Sequence, residues 1–314
     1  MKKILVTGAA GFIGFYISKK LLERGDKVIG IDNLNDYYDI SLKKDRLKEL
    51  EKFKNFKFIK KDISEGIPVE EKIDLICHLA AQAGVRNSIK KPFDYQKSNS
   101  LGTLQVFEFA RQKNISKVVF ASSSSVYGSR GNPPFKEDQN ANDPISLYAA
   151  TKRSNELYAK VYNHLYGIKM IGLRFFTVYG PWGRPDMAYF KFIKKIFKGE
   201  EIEIFNNGEM KRDFTYIEDI VSGVLSSLDK DIGEYEIINL ARGEEINLMD
   251  FVDLLEKYSG REAKKRMLGM QPGDVPLTSG DITKAKNLLG YFPKTSVEEG
   301  IKNFVGWYKE YYGK

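Results

Sequence analysis

Hydrophobic positions along the first 180 residues form short apolar runs separated by longer amphipathic stretches. Apolar residues are nearly continuous within the runs, whereas they recur at helical spacing over residues 12–24, 42–53 and 100–112. Nearly continuous apolar strands that alternate with helices are typical of a parallel sheet covered by helices on both faces. We predict six strands, within "KKILVTG", "DKVIGID", "FKFIKKDI", "IDLICHLAA", "SKVVFASS" and "IKMIGLRFF".

The pattern changes after about residue 180. Turn-rich segments such as "GPWGRPDM", "QPGDVP" and "YFPKTS" interrupt the helical stretches, and Asn207-Gly208 between two β-like runs predicts a hairpin. We therefore predict a doubly wound α/β fold with a smaller C-terminal α/β lobe that is interleaved with the large domain. The expected boundaries are 1–174 plus about 214–242 for the large domain, and 175–213 plus 243–314 for the lobe.

Composition is that of a globular protein. The 314 residues are 42% hydrophobic and 13% aromatic, which provides enough apolar material for a large core. The one cysteine, Cys77, lies in the apolar run "DLICHLAA", and we interpret it as a core thiol. No apolar run approaches the roughly 18 residues of a membrane helix, and the initial apolar stretch is too short for a signal peptide. We expect a soluble, cytoplasmic protein with no membrane partner.

The formal net charge of +8 has three explanations: a solvated lysine-rich surface, steering of an acidic small substrate, or nucleic-acid binding. The lysines are scattered and interleaved with acidic residues, as in "SLKKDRLKELEKFK". This distribution favours the solvated surface, and we expect no nucleic-acid partner.

Three glycines, Gly8, Gly11 and Gly14, separate the first predicted strand from the first predicted helix. Glycine permits a tight turn there, and it lets backbone N–H groups approach a pyrophosphate at the helix N-terminus. The second predicted strand ends at Asp32, where a carboxylate can accept hydrogen bonds from ribose hydroxyls and would repel a 2′-phosphate. The pattern predicts bound NAD rather than NADP.

Tyr148 and Lys152, in "SLYAATK", lie four residues apart and therefore on one face of a predicted helix. A tyrosine with a pKa of about 10 is a poor base at neutral pH, but a lysine ammonium one turn away favours the phenolate. Ser123 stands at the end of a predicted strand, where its hydroxyl can bond to the same substrate oxygen. These residues predict a site for proton transfer.

Several segments together resemble the extended short-chain dehydrogenase/reductase family: "TGAAGFIG", "HLAAQAGV", "SSSSVYG" and "YAATK", with Asp32 and Asn99. The resemblance covers about residues 2–310. It implies a Rossmann-type doubly wound domain, permanently bound NAD, a nucleotide-sugar substrate held by the smaller lobe, and a homodimer built on helices of the large domain. It assigns Ser123, Tyr148 and Lys152 as catalytic residues. Expected NAD contacts are Gly8, Gly11, Phe12, Ile13, Gly14, Asp32, Asp62, Ile63, Ala80, Asn99, Tyr148 and Lys152.

Longer strings are similar to the UDP-glucuronate 4-epimerases, the hexuronate branch of the nucleotide-sugar epimerases: "DNLNDYYD", "AAQAGVR", "LRFFTVYGPWGRPDMA", "KRDFTYIEDI" and "MQPGDVP". Thr177 stands where neutral-hexose epimerases usually carry Asn, and Gln271 stands where many carry Arg. The resemblance implies that UDP-glucuronate and UDP-galacturonate interconvert through a 4-keto sugar. Expected UDP-sugar contacts are Arg86, Ser124, Ser125, Thr177, Arg184 and Arg212.

Alternatives remain open. A UDP-glucuronate decarboxylase and a UDP-N-acetylglucosamine 4-epimerase share the implied fold and cofactor. A 4,6-dehydratase needs an acid and a base beside the catalytic serine, whereas Ser124 and Ser125 stand there. A non-catalytic NAD-binding protein is disfavoured, because such proteins usually lose the tyrosine or the lysine. The chain has two histidines, and because His78 has no partner at metal-ligand spacing we expect no metal site.

Overall fold

The computed structural model describes residues 1–129, 133–271 and 275–314. The strands of the described chain are β1 (Lys3–Thr7), β2 (Lys27–Asp32), β3 (Phe56–Lys60), β4 (Leu75–His78), β5 (Lys117–Ser123), β6 (Lys169–Phe175), β7 (Thr177–Tyr179), β8 (Glu201–Phe205), β9 (Lys211–Arg212), β10 (Phe214–Tyr216), β11 (Tyr235–Leu240), β12 (Ile246–Asn247), β13 (Lys264–Leu268) and β14 (Leu277–Thr278).

The helices in the same ranges are α1 (Phe12–Glu23), α2 (Ile40–Glu51), α3 (Val85–Lys90), α4 (Pro92–Tyr95), α5 (Gly102–Gln112), α6 (Leu147–Tyr166), α7 (Ala188–Lys198), α8 (Ile217–Asp229), α9 (Leu248–Ser259), α10 (Thr283–Leu289) and α11 (Val297–Tyr312). Short 3-10 turns lie at Ile63–Glu65, Ser124–Tyr127 and Asn206–Gly208, and a π-helical turn at Gln96–Leu101 joins α4 to α5. No helix of the described residues combines the length and the apolar composition needed to cross a bilayer.

Seven strands of the described chain form one parallel sheet in the order β11-β6-β5-β4-β1-β2-β3. Alternate residues of β1 belong to separate hydrophobic clusters, Ile4 and Val6 to one and Leu5 to the other. Because side chains alternate across a strand, the two clusters cover opposite faces of the sheet. The predicted doubly wound α/β fold is confirmed. The strand order reverses between β1 and β4, where open parallel sheets bind ligands at the carboxyl ends of their strands.

The six predicted strands correspond to β1 through β6, and the seventh strand was not predicted. β11 follows a long excursion of the chain through the smaller sheets and returns to pair with β6 at the edge of the large sheet. Its apolar run is short, because Ile237 and Ile238 stand between Glu236 and Asn239. The weak apolar signal and the distance along the chain explain why the pattern did not reveal it.

The predicted hairpin at Asn207-Gly208 is wrong. β8 pairs in parallel with β13, whereas β9 pairs with β12 and β14. Asn206 and Asn207 do adopt positive φ angles of 52° and 50° in a 3-10 turn. A turn signal specifies a change of chain direction, but the partners of the flanking strands are set by tertiary packing. In the predicted loop "QPGDVP", residues 272–274 lie outside the described residues.

A buried ion pair fastens α6 to the sheet. Arg174 on β6 donates from Nε to Glu156 Oε1 at 2.8 Å and from Nη2 to Oε2 at 2.9 Å. Ser122 on β5 donates its hydroxyl to the same carboxylate at 2.6 Å. Burial by itself would raise the pKa of Glu156, but Arg174, together with Ser122 and Arg153, outweighs burial and the pKa is lowered. The carboxylate therefore stays charged and fixes α6 against two adjacent strands.

We expect Glu156→Met to lower the free energy of unfolding by about 3–5 kcal/mol, because it leaves the Arg174 guanidinium in the interior without its carboxylate. The double variant Glu156→Met/Arg174→Met should recover most of that loss, since it buries no uncompensated charge. Urea denaturation followed by circular dichroism measures both. The control Glu49→Gln breaks an exposed pair with Lys52 and should cost less than about 1 kcal/mol. Equal losses in the single and double variants would contradict the prediction.

Candidate active site

A cavity of about 750 Å³ lies at the carboxyl ends of the sheet strands and extends to the smaller sheets. This is the edge at which ligands bind to open α/β sheets. Every site residue predicted from the sequence except Asn99 lines the cavity. These residues are Gly8, Gly11, Phe12, Ile13, Gly14, Asp32, Asp62, Ile63, Ala80, Arg86, Ser123, Ser124, Ser125, Tyr148, Lys152, Thr177, Arg184 and Arg212.

The glycine turn between β1 and α1 leaves no space for larger residues. Gly8 has a φ of +73°, and a Cβ there would lie 2.8 Å from the backbone nitrogen of Ala80. A Cβ on Gly14 would lie 2.0 Å from the carbonyl oxygen of Gly8. No side chain caps the first turn of α1, which begins at the cavity. A turn that only glycine fits, at an uncapped helix N-terminus, is suited to a diphosphate.

Asp32 ends β2 beside this turn. Its carboxylate accepts hydrogen bonds from the backbone N–H groups of Leu34 at 2.8 Å and Ala10 at 3.2 Å. Burial raises its pKa, and the nearby ammonium of Lys43 opposes that rise. Lys43 is itself buried and donates to the backbone and side-chain oxygens of Asn35. A buried carboxylate next to a glycine turn fits the adenosine half of NAD.

Ser123, Tyr148 and Lys152 meet at the end of β5. The Ser123 hydroxyl accepts from the backbone N–H of Ser125 at 3.2 Å and donates to the Ser125 hydroxyl at 3.0 Å. Tyr148 and Lys152 lie one turn apart on α6, and the Lys152 ammonium donates to the carbonyl of Ala121 at 2.9 Å. The sheet and α6 thus hold all three groups on regular, well-packed elements.

Two neighbouring groups act on the pKa of the Tyr148 phenol. Burial raises its pKa, while hydrogen bonding with Ser123 and the positive charge of Arg184 oppose the rise. Burial lowers the pKa of Lys152 to about 8. The Lys152 ammonium is directed to the Ala121 carbonyl, and its effect on the Tyr148 phenolate stays a prediction. Ser123 and Arg184 favour the phenolate.

Arg184 reaches the cavity as half of an ion pair. Its Nε and Nη2 donate to the two carboxylate oxygens of Asp186 at 3.1 and 2.6 Å. Tyr37 donates its hydroxyl to the same carboxylate at 3.3 Å. Asp186 therefore offsets part of the positive charge of Arg184. Sequence reasoning missed Tyr37 and Asp186 as cavity residues, although both lie in strings that carried the family resemblance.

Arg86 and Arg212 approach the cavity from different elements. The Arg86 guanidinium lies over the ring of Phe205, 5.0 Å from its centroid. Arg212 on β9 donates to the backbone carbonyls of Lys211 at 2.9 Å and Pro276 at 3.1 Å. Both bring positive charge to the part of the cavity formed by the smaller sheets.

Asn99 lies behind the cavity wall rather than in it. The residue is fully buried, and its Oδ1 accepts from the backbone N–H of Gln82 at 2.7 Å. Its Nδ2 donates to the Gln82 carbonyl at 3.0 Å and to the Thr151 hydroxyl at 3.0 Å. Asn99 thereby joins a cavity-lining segment to α6.

Cys77 and His78 are core residues. Cys77 is fully buried, and burial raises the pKa of its thiol to about 12. The His78 ring is hydrogen-bonded to Thr7 at 2.7 Å and Thr103 at 2.9 Å, and burial lowers its pKa to about 3. Both side chains are therefore uncharged at neutral pH.

Comparison with known proteins gives a consistent result over nearly the whole chain. The model of the NAD dependent epimerase/dehydratase family matches residues 4–241. An uncharacterized protein of Methanocaldococcus jannaschii is 57% identical over 98% of this chain and 97% of its own length. The UDP-glucuronate 4-epimerase of Thermodesulfobacterium geofontis is 47% identical over 98% of this chain and 96% of its own.

A solved structure agrees with these relatives. The UDP-glucuronic acid 4-epimerase of Bacillus cereus, in complex with UDP-glucuronic acid and NAD, matches with a TM-score of 0.92 at 37% identity. The match covers 99% of this chain and 100% of that chain. The chain therefore belongs to the NAD-dependent epimerase/dehydratase family.

Proposed function

We propose that this chain is a UDP-glucuronate 4-epimerase, which interconverts UDP-glucuronate and UDP-galacturonate with tightly bound NAD. One observation carries the proposal. Ser123, Tyr148 and Lys152 line a single cavity together with hydroxyls and no carboxylate at positions 124, 125 and 177, in a chain similar to UDP-glucuronate 4-epimerases over almost its entire length.

The residues around the glycine turn fit NAD. Backbone N–H groups of Gly11–Gly14 would hold the pyrophosphate, Asp32 the adenosine ribose, and Lys152 the nicotinamide ribose. Asp62 and Ile63 line the same end of the cavity and would border the adenine. The chemistry that NAD supplies when bound is the reversible removal of hydride from C4 of the sugar.

Tyr148 acts as the general base and acid at the sugar 4-oxygen. Its phenolate takes the proton of the 4-OH as the C4–O bond becomes a carbonyl, and the phenol returns that proton when the carbonyl is reduced. Ser123 bonds to the same oxygen and favours the phenolate, and Arg184 adds a nearby positive charge. The 4-keto sugar turns about its phosphate linkage between the two steps, so that reduction occurs on the opposite face. No net oxidation results.

The sugar carboxylate presents a particular difficulty, because a 4-keto uronate is a β-keto acid that tends to lose CO₂. Ser124, Ser125 and Thr177 line the cavity as short hydroxyl donors. We assign them to hold the carboxylate so that its C–C bond stays out of line with the π-system of the carbonyl. Arg184 attracts the sugar carboxylate less strongly than a free guanidinium would, because Asp186 already pairs with it.

We further propose that the protein is a homodimer and that α6 forms its interface. Leu157, Val161 and Leu165 recur at every fourth position of α6 and are 49%, 51% and 60% exposed. Leu104 on the adjacent α5 is 38% exposed. An apolar stripe along a helix pair is self-complementary about a two-fold axis, which makes a second copy the expected partner. We also propose that the chain divides into a large domain and a smaller lobe at the boundaries predicted from the sequence, and that the protein is cytoplasmic.

Purified protein incubated with UDP-glucuronate and no added cofactor should form UDP-galacturonate until the two sugars reach equilibrium. NAD stays bound and is restored in each cycle, so none needs to be added. Chromatographic separation of the nucleotide sugars measures the products. UDP-xylose with CO₂ as the main product would identify a decarboxylase, and no turnover of any UDP-sugar would refute the proposed activity.

Tyr148→Phe should reduce kcat by about 10²–10⁴-fold, because it removes the group that transfers the proton. The NAD content of the purified variant should be unchanged, since the other expected NAD contacts, from the glycine turn and Asp32 to Lys152, remain in place. The control is Tyr158→Phe, which deletes a hydroxyl from the same helix at a position that does not line the cavity. Near-normal activity of Tyr148→Phe would exclude the assigned role.

Val161→Glu should convert the dimer to a monomer, because it places a charge at the centre of the apolar stripe. Sedimentation velocity measures the change in mass. Lys160→Glu alters the charge of the neighbouring exposed position and should leave the dimer intact. The proposed interface would be refuted if the unsubstituted protein were monomeric, or if the Val161→Glu variant remained dimeric.

A further inference from the structure

Asp213 is a fully buried carboxylate between β9 and β10. Its Oδ1 accepts hydrogen bonds from the backbone N–H of Arg242 at 2.7 Å and from the Thr215 hydroxyl at 3.0 Å. Its Oδ2 accepts from the backbone N–H groups of Gly243 at 2.9 Å and Gly280 at 3.3 Å. Arg242 and Gly243 follow β11 at the edge of the large sheet, and Gly280 follows β14. One carboxylate therefore joins the large sheet to two of the smaller sheets.

The segments that Asp213 joins carry one wall of the cavity. The backbone carbonyl of Asp213 accepts from the N–H of Thr177 at 3.1 Å, and Phe214 pairs with Thr177 between β10 and β7. Thr177 and Phe214 line the cavity, and so does Thr278 on β14. We call these three residues the Thr177 wall. Asp213 does not line the cavity, and it therefore acts on the wall only through the contacts described above.

The Asp213 carboxylate is buried without a compensating cation. Its four donors are uncharged groups, and no ion pair joins it to a cation of the described residues. Burial raises the pKa of Asp213 to about 6, although the four hydrogen bonds oppose the rise. The charged and titratable side chains on the surrounding elements have other partners. These are Arg212 with the Pro276 carbonyl, Asp219 with the N–H groups of Lys294 and Thr295, Arg242 with Glu244, Asp281 with the Thr283 N–H, and Tyr291 with the Ala241 carbonyl.

Ionisation of this carboxylate costs folding free energy. The pKa of about 6 lies above the ordinary value of about 4, so the folded chain binds this proton more readily than the unfolded chain does. The contribution of Asp213 to the free energy of unfolding therefore falls as the pH rises from about 4 to above 6. A protonated carboxyl, however, would turn its O–H toward one of the four donors and lose that contact. The ionised form thus lowers stability but satisfies every donor, and a group kept at such a cost is typical of a functional site.

We propose that Asp213 is a positioning residue whose ionised carboxylate holds the Thr177 wall in the arrangement that binds UDP-glucuronate. The inference rests on the proposed function, because the ligand is the substrate of that reaction and Thr177 is assigned to its carboxylate. Protonation of Asp213 releases one of the joined segments and leaves a wall that binds the sugar weakly. When only one form of a protein binds a ligand, the apparent Kd rises as that form becomes rarer. Substrate affinity should therefore follow the ionised fraction of Asp213.

Calorimetric titration of the NAD-bound Tyr148→Phe protein with UDP-glucuronate measures this dependence, because the variant binds substrate without the proposed turnover and lacks the titrating phenol. The Kd should be about tenfold higher at about pH 5 than at about pH 7, since only about one carboxylate in ten is ionised one unit below its pKa. The ligand's own carboxylate and diphosphate diester keep their charges in this range.

Thr215→Val in the same protein removes one hydrogen bond that favours the ionised carboxylate. The midpoint of the Kd profile should therefore move upward by about half to one pH unit. Asp213→Asn removes the titrating group, so its affinity should be weaker than that of the parent at about pH 7 and the same at both pH values. A merely structural contact would weaken binding at every pH and would move no midpoint.

The matched control is Ser227→Ala, which deletes a buried hydroxyl that donates to the Gly223 carbonyl within α8 and should leave the midpoint in place. A Kd that is equal at both pH values in the parent, or a midpoint that Thr215→Val does not move, would overturn the assignment of Asp213. If binding follows the expected profile but the unsubstituted protein forms no product from UDP-glucuronate, the proposed activity alone is overturned. If neither protein binds UDP-glucuronate, both proposals are overturned.

Discussion

The guanidinium of Arg46 is fully buried, and within the described chain its hydrogen-bond partners are four oxygen atoms, none from a carboxylate. These belong to the carbonyls of Ala10, Trp182 and Gly183 and to the hydroxyl of Tyr38. Ala10 lies in the glycine turn, and Gly183 directly precedes Arg184. One side chain therefore joins the glycine turn at one end of the cavity to the loop that carries Arg184. A buried cation is costly unless such acceptors surround it, so the arrangement holds both segments in a fixed relation.

Glu156 likewise joins separate segments that border the cavity, in this case α6 and the strands β5 and β6. Its carboxylate takes hydrogen bonds from Ser122, which precedes Ser123, and from Arg174 on the next strand, while its own helix carries Tyr148. The Glu156 ion pair therefore fixes the relative positions of Ser123 and Tyr148 without contacting either residue. Ser123 and Tyr148, the groups proposed for proton transfer, thus stand on two elements that the buried ion pair joins. Under the proposed reaction, this arrangement provides the fixed phenol that must meet both faces of one sugar.

Sequence patterns predicted the parts of the molecule that obey local rules. Strands buried on both faces are nearly continuous apolar runs, so β1, β2, β4, β5 and β6 could be predicted directly, and the edge strand β3 was predicted from its short run of apolar residues. The spacing of Tyr148 and Lys152 on a helix could be read in the same way. Pairings between distant segments could not. The Lys152 ammonium donates to the Ala121 carbonyl, Arg174 pairs with Glu156, and the strands on either side of Asn207 join different sheets. Each depends on tertiary contacts that no local pattern encodes.

The two anionic ends of a UDP-hexuronate would meet different chemistry in this cavity. Under the proposed function, the sugar carboxylate would lie among neutral hydroxyls and an arginine already paired with an acid, whereas the diphosphate would lie near the positive charges of Arg86 and Arg212. Charge-assisted contacts are roughly twice as strong as neutral ones, so the phosphate end would be held more firmly than the sugar end. A weaker hold at the carboxylate permits the sugar to turn about its phosphate linkage. The same asymmetry therefore favours inversion at C4, because the sugar can present its other face without releasing the diphosphate.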